Sequence, residues 1–209
     1  MKNLKLIRYG AWAAVAALAL SAAWIVGLQV LRVQENPQLA NPLPKIGGPF
    51  ELVNGNGKTV TEADFAGKPS LLYFGFTFCP DVCPTTLADM QGWITDLGPD
   101  AEKLNYAFIT VDPERDTPEL MRDYVAAFDD RIQALSGSRA QIDSILSAYR
   151  VYARKVPLDG GGYTMDHSAM VYVMDANNEI TGTIAYGESH ENAMKKLRRY
   201  IANNKSSST

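Results

Sequence analysis

Two cysteines and one histidine are the residues of this sequence best suited to bind a soft metal ion or to exchange electrons. Cys79 and Cys83 are its only cysteines, and they lie four positions apart. That spacing is about one turn of a helix, so the two sulfurs can reach each other or a shared metal ion. His167, one of two histidines, lies 84 residues after Cys83.

The segment around the cysteines favours ionised sulfur. Residues 71–76 form a continuous apolar run, which is typical of a strand buried on both faces. Apolar residues then recur at helical spacing until Gly98, namely Leu87, Met90, Ile94 and Leu97. Free N–H groups and the dipole at a helix N-terminus both stabilise thiolates. The register of this helix directs Cys83 toward the interior.

The cysteine pair has a structural and a functional interpretation. A structural disulfide would suit an oxidising compartment. The loop that it would close is very short, however, and the stabilisation by a disulfide grows with the length of the closed loop. We therefore favour a functional pair, in which Cys79 and Cys83 bind metal or act as catalytic redox thiols.

His167 can join the cysteines only through the topology of the sheet. It directly precedes a predicted strand over residues 169–174. If that strand pairs antiparallel with residues 71–76, His167 arrives at the cysteine end of the sheet. The alternative is a loop histidine that is bonded to a neighbour. Asp166 could orient the imidazole or cap the loop.

Two thiolates and one imidazole suit copper, and Cu(I) in particular. Structural zinc would require a fourth protein ligand, which His190 could supply only if the fold brought it near. We expect His190 instead to be solvated or to cap the last helix. Met90, Met165 and Met170 are soft donors, although methionine on strands and helices is usually a core residue.

Two charged segments can be explained without a role as metal ligands. Residues 112–116 form a dense charged turn, explained by turn formation, a salt bridge of Arg115 and helix capping. We expect this turn at the rim of the cysteine site and not among its ligands. Basic residues near the C-terminus indicate a solvated helix face, and they are Lys195, Lys196, Arg198, Arg199 and Lys205.

The predicted elements give an α/β fold. Asn-Gly-Asn-Gly at residues 54–57 predicts a hairpin within residues 50–60. A βαβ unit follows with strands 71–76 and 106–111, then an inserted helical region, and finally strands 169–174 and 180–186 with a closing helix. This order predicts a mixed sheet flanked by helices.

The N-terminus predicts a membrane anchor. Residues 9–31 are 23 uncharged residues, enough for a helix across a hydrocarbon core of about 30 Å. The basic residues that precede them place the N-terminus in the cytoplasm. We thus predict a bacterial inner-membrane protein with one span and a periplasmic domain, and a cleaved signal peptide is the alternative. The expected domains are an anchor over 1–31, a proline-containing linker over 32–45, a globular domain over 46–203 and a flexible tail over 204–209.

Composition excludes several classes of protein. A formal net charge of -3 gives no general attraction to nucleic acid. A hydrophobic content of 46% is ordinary for a globular chain. With two cysteines and two histidines, one chain cannot build a zinc site of four cysteines or of three cysteines and a histidine.

Three segments in this order make the chain resemble the Sco/SenC family of copper chaperones. They are residues 74–84 (FGFTFCPDVCP), residues 111–118 (VDPERDTP) and residues 166–168 (DHS). The resemblance implies a thioredoxin-like fold and copper bound by Cys79, Cys83 and His167. It also implies a role in maturing the dinuclear copper site of cytochrome c oxidase, and a dithiol–disulfide activity toward the cysteines of that site.

We therefore expect a membrane-anchored copper chaperone. Its expected partners are the copper-site subunit of cytochrome c oxidase and other periplasmic copper or thiol carriers, with no nucleic acid. A thiol–disulfide oxidoreductase that keeps partner cysteines reduced is the alternative function. A peroxidase of the peroxiredoxin type is disfavoured, because Phe76 and Leu72 occupy the positions of the threonine and proline in that family's motif.

Overall fold

The computed structural model describes residues 12, 14, 16–29 and 45–206, and the chain divides into two compact units at Pro44 and Lys45. In the first unit, residues 16–29 are helical and exposed. Among the described residues, no helix combines the length and the apolar character needed to cross a membrane. Part of the predicted span 9–31, the linker up to residue 44 and the tail from residue 207 lie outside the described residues.

The second unit contains nine strands and four α-helices within residues 45–206. They are β1 (Glu51–Asn54), β2 (Thr59–Thr61), β3 (Ser70–Gly75), α1 (Val82–Leu97), β4 (Asn105–Thr110), α2 (Pro118–Val125), β5 (Ile132–Ser136), α3 (Arg139–Ala148), β6 (Ala153–Pro157), β7 (Tyr163–His167), β8 (Met170–Met174), β9 (Ile180–Ala185) and α4 (His190–Ser206). Short 3₁₀ helices follow β2 and α1.

Seven strands form one mixed sheet in the order β2-β1-β5-β4-β3-β8-β9. Strands β3, β4 and β5 run parallel, while β8 pairs antiparallel with β3 and with β9. All six residues of β3 are buried, as expected for an apolar strand near the middle of a covered sheet. The predicted mixed sheet and the N-terminal hairpin β1–β2 are confirmed.

Helix α1 packs on the sheet and begins just after β3, so that the cysteines lie in the loop after this strand and in the first turn of the helix. The side chains predicted to be its apolar face are buried, including Leu87, Met90 and Ile94. Gly98 ends the helix with a φ of 55°, a conformation that favours glycine. The predicted βαβ unit is therefore present as β3-α1-β4, with its two strands in parallel register.

The predicted inserted helical region contains strands as well as helices. Between β4 and β8 the chain forms two helices and also three strands, β5, β6 and β7. Strand β5 extends the main sheet, whereas β6 and β7 pair with each other in a separate two-stranded sheet. Strand β6 contains Arg154 and Lys155 and has no buried residue, so it lacks the hydrophobic alternation by which strands are predicted.

Candidate metal site

The two cysteines lie where β3 passes into α1. Cys79 is in the connecting loop, and Cys83 is the second residue of the helix. The backbone N–H of Cys83 donates to Sγ of Cys79 over 3.3 Å. Cys83 itself is fully buried, which confirms the inward orientation that the helical register predicted. The cysteines are not joined by a disulfide.

Gly75 provides the space that the sulfur of Cys83 occupies. A Cβ at this position would lie 2.7 Å from Sγ of Cys83 and 2.6 Å from the ring of Phe108. Real Cβ atoms do not approach other atoms so closely. We did not predict a role for this residue from the sequence, although glycine inside an otherwise apolar strand is a known sign of close approach.

His167 is the last residue of β7, and two residues separate it from Met170, where β8 begins. Because β8 runs antiparallel to β3, with Val171 opposite Tyr73, the chain enters β8 at the cysteine end of the sheet. Nε2 of His167 lies 3.5 Å from Sγ of Cys83. The predicted delivery of His167 to the cysteines by an antiparallel strand is thus confirmed.

A backbone carbonyl sets the orientation of the imidazole. Nδ1 of His167 lies 3.0 Å from the carbonyl oxygen of Ser168. Because a carbonyl only accepts hydrogen bonds, Nδ1 carries a proton, and Nε2 is the ring nitrogen that faces Sγ of Cys83. Asp166 forms a 3.7 Å ion pair with Arg154 instead, so Ser168 takes the orienting role that we considered for Asp166.

The site holds one thiolate and one thiol. A hydrogen bond from Cys83 is the main cause that lowers the pKa of Cys79 to about 3, and contacts with His167 and with the N–H groups of Asp81 and Cys83 add to it. The same hydrogen bond and burial raise the pKa of Cys83. We place the negative charge on Cys79, because it is half-buried and accepts an N–H at the helix start.

The three candidate ligands form one compact group. Cys79, Cys83 and His167 each offer one donor atom, and these three atoms lie within 4.8 Å of one another. In the described part of the chain, no other group of three or more candidate ligands lies so close together. Two sulfurs and one imidazole nitrogen at this separation fit a small soft cation. Cys79 and His167 are partly exposed, so the group is open to an approaching molecule.

The charged turn lies beside the site and adds no ligand to this group. The buried carboxylate of Asp116 accepts hydrogen bonds from the backbone N–H and the hydroxyl of Thr77, and from the hydroxyl of Thr110. Burial raises the pKa of Asp116, and these hydrogen bonds oppose that effect. Asp116 therefore ties the loop before Cys79 to the end of β4.

The other candidate residues lie elsewhere. Nε2 of His190 is 2.7 Å from a carboxylate oxygen of Asp96, and both side chains are about half exposed. Met90 and Met165 are buried core residues, whereas Met170 is partly exposed. In the basic segment Lys196 pairs with Glu188, and the side chain of Lys205 lies outside the described residues.

Known proteins resemble this chain in both sequence and fold. A profile of the SCO1/SenC family matches residues 39–202. ScoI from Bradyrhizobium japonicum, solved with copper bound, is 47% identical with a TM-score of 0.70 and covers 74% of this chain and 99% of that one. Copper-bound ScoI from Arabidopsis thaliana is 34% identical with a TM-score of 0.71, covering 76% and 99%.

A curated relative, SCO1 homolog 1 of Arabidopsis mitochondria, is 37% identical over 180 residues. The match covers 81% of this chain and 52% of that protein, so the chain spans about half the length of this relative. The mixed sheet and its solved neighbours confirm the predicted thioredoxin-like fold. The chain belongs to the SCO1/SenC family.

Proposed function

We propose that this protein is a copper chaperone that binds one copper ion through Cys79, Cys83 and His167. The observation that carries the proposal is the group of three donor atoms within 4.8 Å. Two features support copper as the cargo. The donors are soft, and three protein ligands leave a zinc ion one short of a closed structural site.

The site is suited to release as well as to binding. A three-ligand site with two partly exposed ligands leaves an approach for an incoming donor from a partner. Relatives solved with copper bound support copper as the metal. Family membership supports the further proposal that the recipient is the copper-site subunit of cytochrome c oxidase, with other periplasmic copper or thiol carriers as additional partners.

Anaerobic titration of the reduced full-length chain with Cu(I) tests the binding. We expect one ion per chain, and we expect Cys79→Ser, Cys83→Ser and His167→Ala each to weaken the affinity at least about a hundredfold, since even second-sphere changes cost 10–100-fold. His190→Ala is the matched control and leaves binding unchanged, because His190 pairs with Asp96. Normal binding by all three variants would contradict the proposal.

A second function is thiol–disulfide exchange. The depressed pKa of Cys79 makes it a thiolate at neutral pH. It attacks a partner disulfide, forms a mixed disulfide and releases one partner thiolate. Cys83 then gives up its proton, attacks Cys79 and releases the second, so the partner is reduced as the pair is oxidised. We expect His167→Ala to retain this exchange while losing copper, and absence of exchange in the wild-type protein would contradict this second function.

We also propose the location and domain plan that the sequence predicted, a periplasmic domain over residues 46–203 tethered to the bacterial inner membrane. The uncharged stretch over residues 9–31 supports this proposal. Fractionation of cells that express the full chain tests it. Carbonate-resistant membrane association with an externally accessible domain is expected, and recovery in the soluble fraction would contradict the anchor.

A further inference from the structure

The hairpin that carries His167 is not part of the main sheet. Strands β6 and β7 form a two-stranded sheet of their own, and an isolated hairpin is only marginally stable in water. Its position beside the cysteine loop therefore depends on contacts with the body of the protein. Several of the polar ones come from the charged turn over residues 112–116, including an ion pair of Lys155 with Glu114.

One arginine of this turn contacts both sides of the site. Nε of Arg115 donates to Oδ2 of Asp112 over 2.5 Å, and Nη1 donates to the carbonyl oxygen of Tyr163 over 3.0 Å. Its guanidinium carbon lies 3.9 Å from the ring centroid of Tyr163 and 4.8 Å from that of Phe78. Tyr163 begins the strand that ends at His167, and Phe78 directly precedes Cys79.

Asp112, whose carboxylate binds Arg115, is also held by other residues. Asp112 is fully buried, and its Oδ1 accepts a hydrogen bond of 2.9 Å from the hydroxyl of Tyr163. Its backbone N–H donates to the hydroxyl of Thr110 at the end of β4, so the turn is anchored to the central sheet. We refer to Asp112, Arg115 and Tyr163 together as the arginine junction.

We propose that the arginine junction positions His167 at the metal site, so that Arg115 is a positioning residue for the third ligand. This inference rests on the proposed copper function. The planar guanidinium bonds a carboxylate and a carbonyl while it stacks on two rings, which a lysine ammonium cannot do. Through this junction the main sheet fixes the position of the β6–β7 hairpin, although no strand of the main sheet pairs with it.

A double-mutant cycle on Cu(I) affinity tests the coupling. We expect Arg115→Ala to weaken binding about 10–100-fold, the usual range for groups that orient a metal ligand. In a His167→Ala background the same change weakens binding by less than about threefold, because the ligand that Arg115 positions is already gone. Additive losses in the double mutant would overturn the proposal.

Milder variants separate positioning from folding. Arg115→Lys keeps the charge and loses the planar fork, and we expect it to bind copper nearly as weakly as Arg115→Ala. Tyr163→Phe keeps the ring and loses only the hydroxyl bond to Asp112, so we expect a smaller loss. Arg131→Ala is the matched control: Arg131 pairs with Asp129 just before β5, at the end of the parallel strands opposite to the cysteines. Equal affinity in Arg115→Lys and wild type would count against the proposal.

A measurement without metal keeps this inference separate from the proposed function. The chain has two histidines, so the imidazole nitrogen resonances of the apo protein report on His167 with His190 as an internal reference. We expect wild type to show an ordered Nδ1–H tautomer at His167, and Arg115→Lys to show averaging there with His190 unchanged. An unchanged His167 signal would refute the positioning role, whereas failure of wild type to bind copper would refute only the proposed function.

Discussion

Strand β3, which leads to the cysteines, lies near the middle of a seven-stranded sheet, whereas His167 ends a two-stranded hairpin. Every residue of β3 is buried, but the hairpin strands have only Met165 buried among their residues. The sulfurs are thus placed by the hydrophobic core, whereas the imidazole depends on polar contacts of the hairpin and on edge contacts of its own ring with Tyr73 and Phe76. We expect the two sides of the site to respond very differently to substitution.

The largest difference is expected in stability. Leu72→Ala in β3 removes a fully buried side chain and should lower the free energy of unfolding by about 2–5 kcal/mol. Val156→Ala in β6 removes a partly buried one and should lower it by about 1 kcal/mol or less. Denaturant unfolding of both variants checks the comparison, and equal losses would show that the hairpin belongs to the same cooperative core.

A smaller effect is expected from filling the space beside Cys83. Gly75→Ala introduces a Cβ that would overlap Phe108 and the sulfur, and we expect a loss of about 1–3 kcal/mol together with weaker copper binding. Gly160→Ala, at the tip of the hairpin, meets no atom within 4 Å and serves as the control. Equal free energies of unfolding for the two variants would argue against the close approach of Cys83 to β3.

The smallest effect concerns the two sulfurs themselves. Since the pKa of Cys79 is lowered to about 3, its thiolate persists as the pH falls from 9 to 5, and its alkylation rate should stay nearly constant over that range. Cys83 is buried with a raised pKa and should react at least about tenfold more slowly at pH 7. Iodoacetamide labelling followed by peptide mass spectrometry measures both rates; a Cys79 rate that rises through pH 8–9 would indicate an ordinary thiol.

Much of the fold was predictable because its core obeys simple periodicities. The apolar run that becomes β3, the helical spacing of Leu87 and Met90, and the Asn-Gly turns each carry a local signal. The β6–β7 hairpin has no such signal, since its strands are mostly exposed and charged side chains interrupt them. For that reason we did not predict a strand that ends at His167, although the direction of β8 still brought it to the correct end of the sheet.

The ligand types, the spacing of Cys79 and Cys83 and the family membership are properties of the sequence alone, because residue chemistry and local periodicity need no coordinates. Three features arise only in the folded chain. Nε2 of His167 approaches Sγ of Cys83 to 3.5 Å, the carbonyl of Ser168 orients the imidazole, and Arg115 bridges the charged turn and the hairpin. Each depends on contacts between residues far apart in the sequence, or on a backbone direction that distant strand pairing sets. Such contacts follow from packing and leave no local pattern.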